Sequence, residues 1–140
     1  MPQHEVRLNL HVKAPVEKVF AFCADHARFA SLFGGKAVRI KEGDDQPNGV
    51  GSVRRCGPGL LSFDETIVRF EPRRQIDYTI TRGSPLKNHL GQIRFRNSRG
   101  GTEIDYVIRF DPKIPLTGWL ISALLRFGWN SNAPKLLAKL

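Results

Sequence analysis

The stretch GWLISALLRFGW, residues 118–129, is apolar apart from its two glycines, Ser122 and Arg126, and has a tryptophan near each end. Either a membrane or the inside of the protein must take up that surface. The apolar run over 114–129 is interrupted by Pro115 and Arg126 and falls short of the ~20 residues that a bilayer-spanning helix requires. On a helical wheel Gly118, Ser122, Arg126 and Asn130 make one narrow polar stripe. Trp119, Leu120, Ile121, Leu124, Leu125 and Phe127 fill most of the circumference. A helix lying on a membrane surface would carry several Lys or Arg on its polar face, and here only Arg126 does. The expectation is therefore a helix enclosed on most sides, as one gripped by a curved sheet. Pro134 is expected to kink or restart it, leaving 135–140 as a last turn or two.

The strands for such a sheet precede it. In EVRLNLHVK, Val6, Leu8, Leu10 and Val12 alternate with polar residues, the period of a strand buried on one face. APVEKVFAFCADHARF follows, with Pro15 suited to a first helical position and Val16, Val19, Phe20, Cys23 and Ala27 at helical spacing. A second short helix, 27–33, should stop at Gly34-Gly35. Strand-like segments then alternate with turn chemistry: KAVRIKE, SVRRC, LLSFDETIVRFE, QIDYTITR and LKNHLGQIRFRN, with SRGG as a tight hairpin before TEIDYVIRFD. Short connections between successive strands imply an antiparallel meander with one hidden face, and the C-terminal segment is the element apolar enough to cover it.

Composition sets the outer limits. With 140 residues, 41% hydrophobic and 25% charged, the chain reads as a single domain over 1–140. Its opening, MPQHEVRLNL, never develops the apolar run of a secretory signal, so a cytoplasmic location is expected. Cys23 and Cys56 read as free thiols. Twenty-two Lys and Arg against thirteen Asp and Glu give a net charge of +9. The basic residues are dispersed, densest at Arg54-Arg55, Arg73-Arg74 and Arg94, Arg96 and Arg99, with no block of like charges. A solvated sheet face explains them; no nucleic-acid partner is expected, and an anionic membrane surface is the polyanion such a charge would favour. No metal is expected, because Cys23, His26, Cys56 and His89 lie on different elements. No cofactor is expected either: GVGSVRR precedes a strand and not a helix, and Ser62 and Ser84 lack a nucleophile-elbow context.

Four of these stretches stand in an order that resembles a known family. APVEKVFAFCAD at the first helix, NGVGSVRR before a strand, ETIVRFEPRRQIDYTIT across a strand turn and GGTEIDYVIRFDP at the last strand are similar to the polyketide cyclase/dehydrase and lipid-transport group of the START-like, or SRPBCC, superfamily. The similarity covers about 6–137. It implies an α+β helix-grip fold: about seven antiparallel strands wrapped around a long C-terminal helix, two short helices after the first strand, and an apolar internal cavity. It also implies a hydrophobic small-molecule ligand, lipid-like or polyketide-like, and in some members cyclisation or dehydration. Where relatives commonly carry a tryptophan near the second helix, this chain reads FASLFGG, with Phe29 and Phe33. That departure leaves the ligand open, and neither a fold nor a family chooses a chemistry.

Strand alternation nominates the residues that face such a cavity. In NHLGQIRF, His89 shares a face with Gly91, Ile93 and Phe95; it is either a general base beside a ligand carbonyl or a structural histidine at the rim. Phe63, Glu65 and Ile67 share one face of their strand and Asp64, Thr66, Val68 and Phe70 the other, so a bulge is expected to decide which is inward. An inward Glu65 would recruit Arg54 or Arg55, as a ligand anchor or as an edge salt bridge. Tyr78 and Tyr106 are expected to face inward, and Trp119 and Phe127 to form an apolar lid, with Ser122 as polar lining or solvated back. Three functions follow: hydrophobic-ligand binding, a cyclase or dehydratase using His89 as base with Arg54, Arg55 or a tyrosine on the enolate, and docking of a basic protein on anionic membrane or nucleic acid.

Overall fold

The SRGG hairpin closes as a two-residue turn. In the computed structural model, which describes residues 2–140, Ser98 pairs with Gly101, and Arg99 and Gly100 have φ of 47° and 76°. Two successive positive φ values define a type I′ turn, whose twist matches that of the strands it joins. Numbered along the chain, the strands are β1 (His4–Arg7), β2 (Leu10–Val12), β3 (Ala37–Lys41), β4 (Val53–Cys56), β5 (Phe63–Glu71), β6 (Gln75–Arg82), β7 (Leu86–Ser98) and β8 (Gly101–Pro112). The helices are α1 (Val16–Ala24), α2 (His26–Ser31) and α3 (Gly118–Leu137).

All pairings are antiparallel, in the order β1-β8-β7-β6-β5-β4-β3, with β2 also on β8. The sheet thus has eight strands where about seven were expected. The extra one arises because the first strand is divided at Leu8 and Asn9: β1 and β2 keep one register on β8, with Val6 opposite Ile108 and Leu10 opposite Ile104. The chain is an α+β helix-grip fold, with α1 and α2 between the first strand and the meander and α3 across the concave face.

Local chemistry explains the helix ends. Asp25 caps α2 by accepting a hydrogen bond from the Arg28 backbone N–H at 3.0 Å, and Gly34, with φ of 80°, closes the segment. Pro15 is the N-cap residue of α1 and not its first turn, one position outside the expected start. Ala27 is exposed, so the buried stripe is Val16, Val19, Phe20 and Cys23. Pro134 neither breaks nor restarts α3, which runs through it to Leu137. The carbonyl that loses its partner belongs to Asn130, which is exposed and can bond to water.

The larger correction concerns α3. Its buried face carries Gly118, Trp129, Ala133 and Leu137, whereas Trp119 and Phe127 are 70% and 72% exposed. Glycine decides which side is gripped: a Cβ on Gly118 would strike the His4 ring, and one on Gly128 would come within 2.9 Å of the Phe33 carbonyl oxygen. Close approach needs the smallest side chains, so the helix docks by its glycine side and leaves the bulky side outward.

A second glycine contact tests the sheet. The Tyr78 ring lies across Gly91 on the neighbouring strand, where any Cβ would overlap it. Gly91→Ala is expected to cost about 1–3 kcal/mol by forcing Tyr78 off its position, read as a lower urea midpoint with an unchanged slope.

Candidate functional site

Bulges in β5 settle the inward face. Its register on β6 shifts between Asp64 and Glu65 and again between Ile67 and Arg69. Glu65 and Ile67 consequently face inward. Past Val68 the parity reverses, which turns Phe70 onto Phe20 at 5.3 Å between ring centroids. Glu65 sits opposite Arg54 in the β4–β5 register, and Arg54 Nε donates to Glu65 Oε1 at 2.7 Å. Both side chains are buried.

Arg54 is the centre of a buried polar chain. Its guanidinium carbon lies 4.3 Å from the Phe29 ring centroid and 4.7 Å from that of Tyr78, so aromatic faces cover the cation. Nη1 donates to His26 Nδ1 at 3.3 Å, which makes Nδ1 an acceptor and places the His26 proton on Nε2. That proton goes to Ser52 Oγ at 2.8 Å, and Ser52 donates in turn to the Lys41 carbonyl at 3.1 Å. Arg54 Nη2 is the one buried side-chain polar atom without a hydrogen-bond partner among the described residues. His26 and Ser52 were absent from the expected site because a helix start and a loop carry no alternation signal.

Beside this chain is a cavity of about 320 Å³ between the sheet and α3. Phe63, Glu65, Tyr78, Ile80, His89 and Ile108 form its sheet side, Phe29 and Phe33 come from the α2 segment, and Ile121 and Leu125 from α3. Exposed Lys36, Gly57 and Pro85 mark the mouth, and buried Glu65, Cys56, Tyr78 and His89 the floor. A larger depression of about 660 Å³ at the start of α3, bordered by His4, Lys87, Asp111, Leu116 and Trp119, is open at the surface and lies outside the space between sheet and helix.

Of the residues nominated from sequence, Phe63, Glu65, Tyr78 and His89 line the cavity, and Arg54 lies beneath it. The others lie elsewhere. Arg55 points to the outer face, where Asp64 accepts from its Nε at 2.9 Å and its Nη2 at 3.1 Å. Phe95 packs on Phe20 under α1, at 5.2 Å between centroids. Tyr106 is wholly buried behind the cavity wall against Trp129, and its hydroxyl is hydrogen-bonded to that of Tyr78. Trp119 and Phe127 are on the outer side of α3 and form no lid, and Ser122 is half-buried outside the cavity lining. The helix is represented by Ile121 and Leu125, one turn apart, because the glycine side of α3 faces the sheet. Ile80 and Ile108 were legible from their parity with Tyr78 and Tyr106.

His89 has an assigned proton. The Ile80 backbone N–H donates to its Nδ1 at 3.2 Å, so the neutral ring carries hydrogen on Nε2. Burial first, with the nearby Arg54 charge, holds its pKa below the ordinary histidine value despite the pull of Glu65. Neutral His89 therefore offers the cavity a donor and not the lone pair that a general base needs. Neither His89 Nε2 nor Glu65 Oε2 has a protein hydrogen-bond partner among the described residues, and neither is sealed off from solvent. Burial pushes the Cys56 thiol up to about 12 and also raises the Tyr78 hydroxyl, so both stay protonated.

The buried histidine predicts a pH response. His26 has its pKa lowered from 6.5 to about 4 by burial, then by Arg54 and Arg39, while the unfolded chain titrates near 6.5. Between those values the unfolded state binds the extra proton, so stability is complete above 6.5 and falls as pH drops toward 4. The expected loss is on the order of 2–3 kcal/mol. A second stage follows at lower pH: hydrogen bonds from Arg55 and Arg82 hold Asp64 at about 2, below its ordinary 3.8, and its contribution disappears as pH falls toward 2. Urea midpoints measured across this range test both stages, and His26→Gln should shrink the upper one, leaving the share of His89, without changing the lower one.

Among the described residues no cluster of His, Cys, Asp or Glu is placed to hold a metal, and no helix is long and apolar enough to cross a membrane. A sequence profile described as polyketide cyclase/dehydrase and lipid transport matches residues 3–140. No curated protein matches the chain significantly. Among solved structures, protein MLL2253 from Mesorhizobium loti is similar with a TM-score of 0.72 at 14% identity, covering 96% of this chain and 94% of that one. A protein from Thermobifida fusca has a TM-score of 0.72 at 17% identity, with 96% and 90% covered. The Aha1 dimer from Colwellia psychrerythraea has 0.69 at 11% identity, with 96% and 93% covered. At these identities the likeness concerns the fold.

Proposed function

The chain belongs to the polyketide cyclase/dehydrase and lipid transport family, and from that premise we propose that it binds one apolar small molecule whose polar end is uncharged. The observation that carries this reading is an apolar cavity of about 320 Å³ with two unpartnered polar atoms on its floor, Glu65 Oε2 and His89 Nε2. Binding comes from desolvation of the ligand body against Phe29, Phe33, Ile80, Ile121 and Leu125. Orientation comes from the floor: the histidine donates to a ligand carbonyl, and the carboxylate accepts from a ligand hydroxyl. A ligand carboxylate or phosphate is disfavoured there, because it would face the Glu65 carboxylate while the unpartnered Arg54 Nη2 is sealed off beneath the floor.

A thermal-shift panel of hydroxylated quinones, aromatic hydroxyketones, sterols and fatty acids on delipidated protein tests the reading. A hydroxy-carbonyl compound is expected to raise Tm, with a gain of about 2.7 kcal/mol at a hundredfold excess over Kd, and fatty acids are expected to leave it unchanged. No shift with any class, or a preference for the fatty acids, would overturn it.

The same two atoms support a second reading, proton abstraction next to a carbonyl. Glu65 would remove a proton from the α-carbon while His89 Nε2–H stabilises the enolate oxygen, and the proton would return to carbon or leave with a β-hydroxyl as water. Exchange of ligand α-hydrogens for solvent deuterium, lost in Glu65→Gln while ligand still binds, is the expected signature.

A further inference from the structure

The outer side of α3 is apolar and exposed. Leu116, at 89% exposure, begins a row continued by Trp119, Leu124 and Phe127 along the helix. Contiguous exposed apolar surface of this kind on a soluble domain marks a contact with something else. Across the cavity mouth the Gly59–Leu61 turn presents Leu60 and Leu61, both exposed, and its neighbours Gly57 and Phe63 line the cavity opposite Ile121 and Leu125. Both lips of the mouth are therefore apolar and outward-facing.

Within the C-terminal segment the charge has one sign, and Asp111 borders only its N-terminal edge. Residues 113–140 contain Lys113, Arg126, Lys135 and Lys139 and no acidic residue. None of the four is in an ion pair among the described residues, and Arg126 bonds only to the Arg7 carbonyl, at 3.3 Å. The polar stripe of α3 alone is too poor in cations for a membrane helix, but its exposed apolar row and the further cations at both ends of the segment change that expectation. From the apolar row, the unpaired cations and the position of the mouth, we infer that this side of the molecule docks on an anionic phospholipid surface, with the outer side of α3 in the interface and the cavity mouth facing the lipid.

Two observations favour a bilayer over a second copy of the chain. A two-fold contact would bring each cation toward its symmetry-related equivalents with no acidic group in the segment to answer them, whereas anionic headgroups neutralise all four. A second copy would also cover the mouth, while a bilayer presents it to the phase in which apolar molecules dissolve. This latter argument rests on the ligand-binding reading; the apolar row and the charge do not.

The test uses phosphatidylcholine vesicles with and without about one-third phosphatidylglycerol. The full chain is expected to sediment with the anionic vesicles, more weakly as salt rises, and its tryptophan emission to shift blue. That shift reports Trp119, because Trp129 is only 2% exposed and already buried. Trp119→Ser with Phe127→Ser alters only exposed side chains and should keep the wild-type melting curve while losing vesicle affinity about tenfold or more. Failure to bind anionic vesicles, undiminished binding by the double variant, or a lipid-free dimer in which Trp119 is already shielded would overturn the inference. Cavity-filling variants separate the two readings: they should dock like wild type even where they bind no small molecule.

Discussion

Arg54→Met is expected to lower stability by about 3–5 kcal/mol, a fall in Tm on the order of 10–15 °C for a domain of this size. The change removes one partner of a buried ion pair and leaves the Glu65 carboxylate beside Phe29 and Tyr78 with no cation. It also strips His26 Nδ1 of its donor, so the Ser52 chain loses its anchor. Part of the damage is expected to be reversible by a second change. Arg54→Met with Glu65→Leu removes both charges, and a well-packed apolar pair commonly matches or exceeds a buried ion pair. The double variant should recover most of the lost stability in a urea titration and lose orientation of a polar ligand end. A single variant within about 1 kcal/mol of wild type would mean that water reaches the pair and that the floor of the cavity is not dry.

The second large effect is on binding. Ile80→Trp with Leu125→Trp introduces two indoles into the cavity, one from the sheet and one from α3. The expected result is a loss of ligand affinity of at least a hundredfold, about 2.7 kcal/mol, with folding stability close to wild type because the new rings occupy space instead of displacing packed neighbours. Isothermal titration with whichever compound raises Tm gives the affinity, and urea unfolding gives the control. Retained affinity in the filled variant would move the ligand elsewhere, the hollow beside Trp119 being the next place to look.

The two predictions differ in how far they were readable beforehand. Arg54 and Arg55 were equal choices from sequence as partners for Glu65. The β4–β5 register puts Arg54 directly opposite Glu65 and pairs Arg55 with Asp64, and the period within either strand does not say how the two strands align. The cavity lining was half-legible: Tyr78 and His89 share faces with apolar neighbours in plain alternation, whereas the strand of Phe63 and Glu65 offered two apolar faces. The contribution of α3 was misplaced because its wheel is apolar nearly all round, so counting hydrophobic positions could not identify the gripped side.

What the amino-acid order determined by itself was local. Alternation set the strands, Asp25 and Gly34 bounded the second helix, and Arg99-Gly100 made the hairpin, since each depends on dihedral preferences and side-chain periods within a few residues. What only the tertiary structure decided was relational. Gly118 against His4, Gly128 against Phe33 and Arg54 between Phe29 and Tyr78 join residues far apart in the chain. Close packing selects such contacts by the shape of what stands opposite, and that shape exists only once the sheet has closed around the helix.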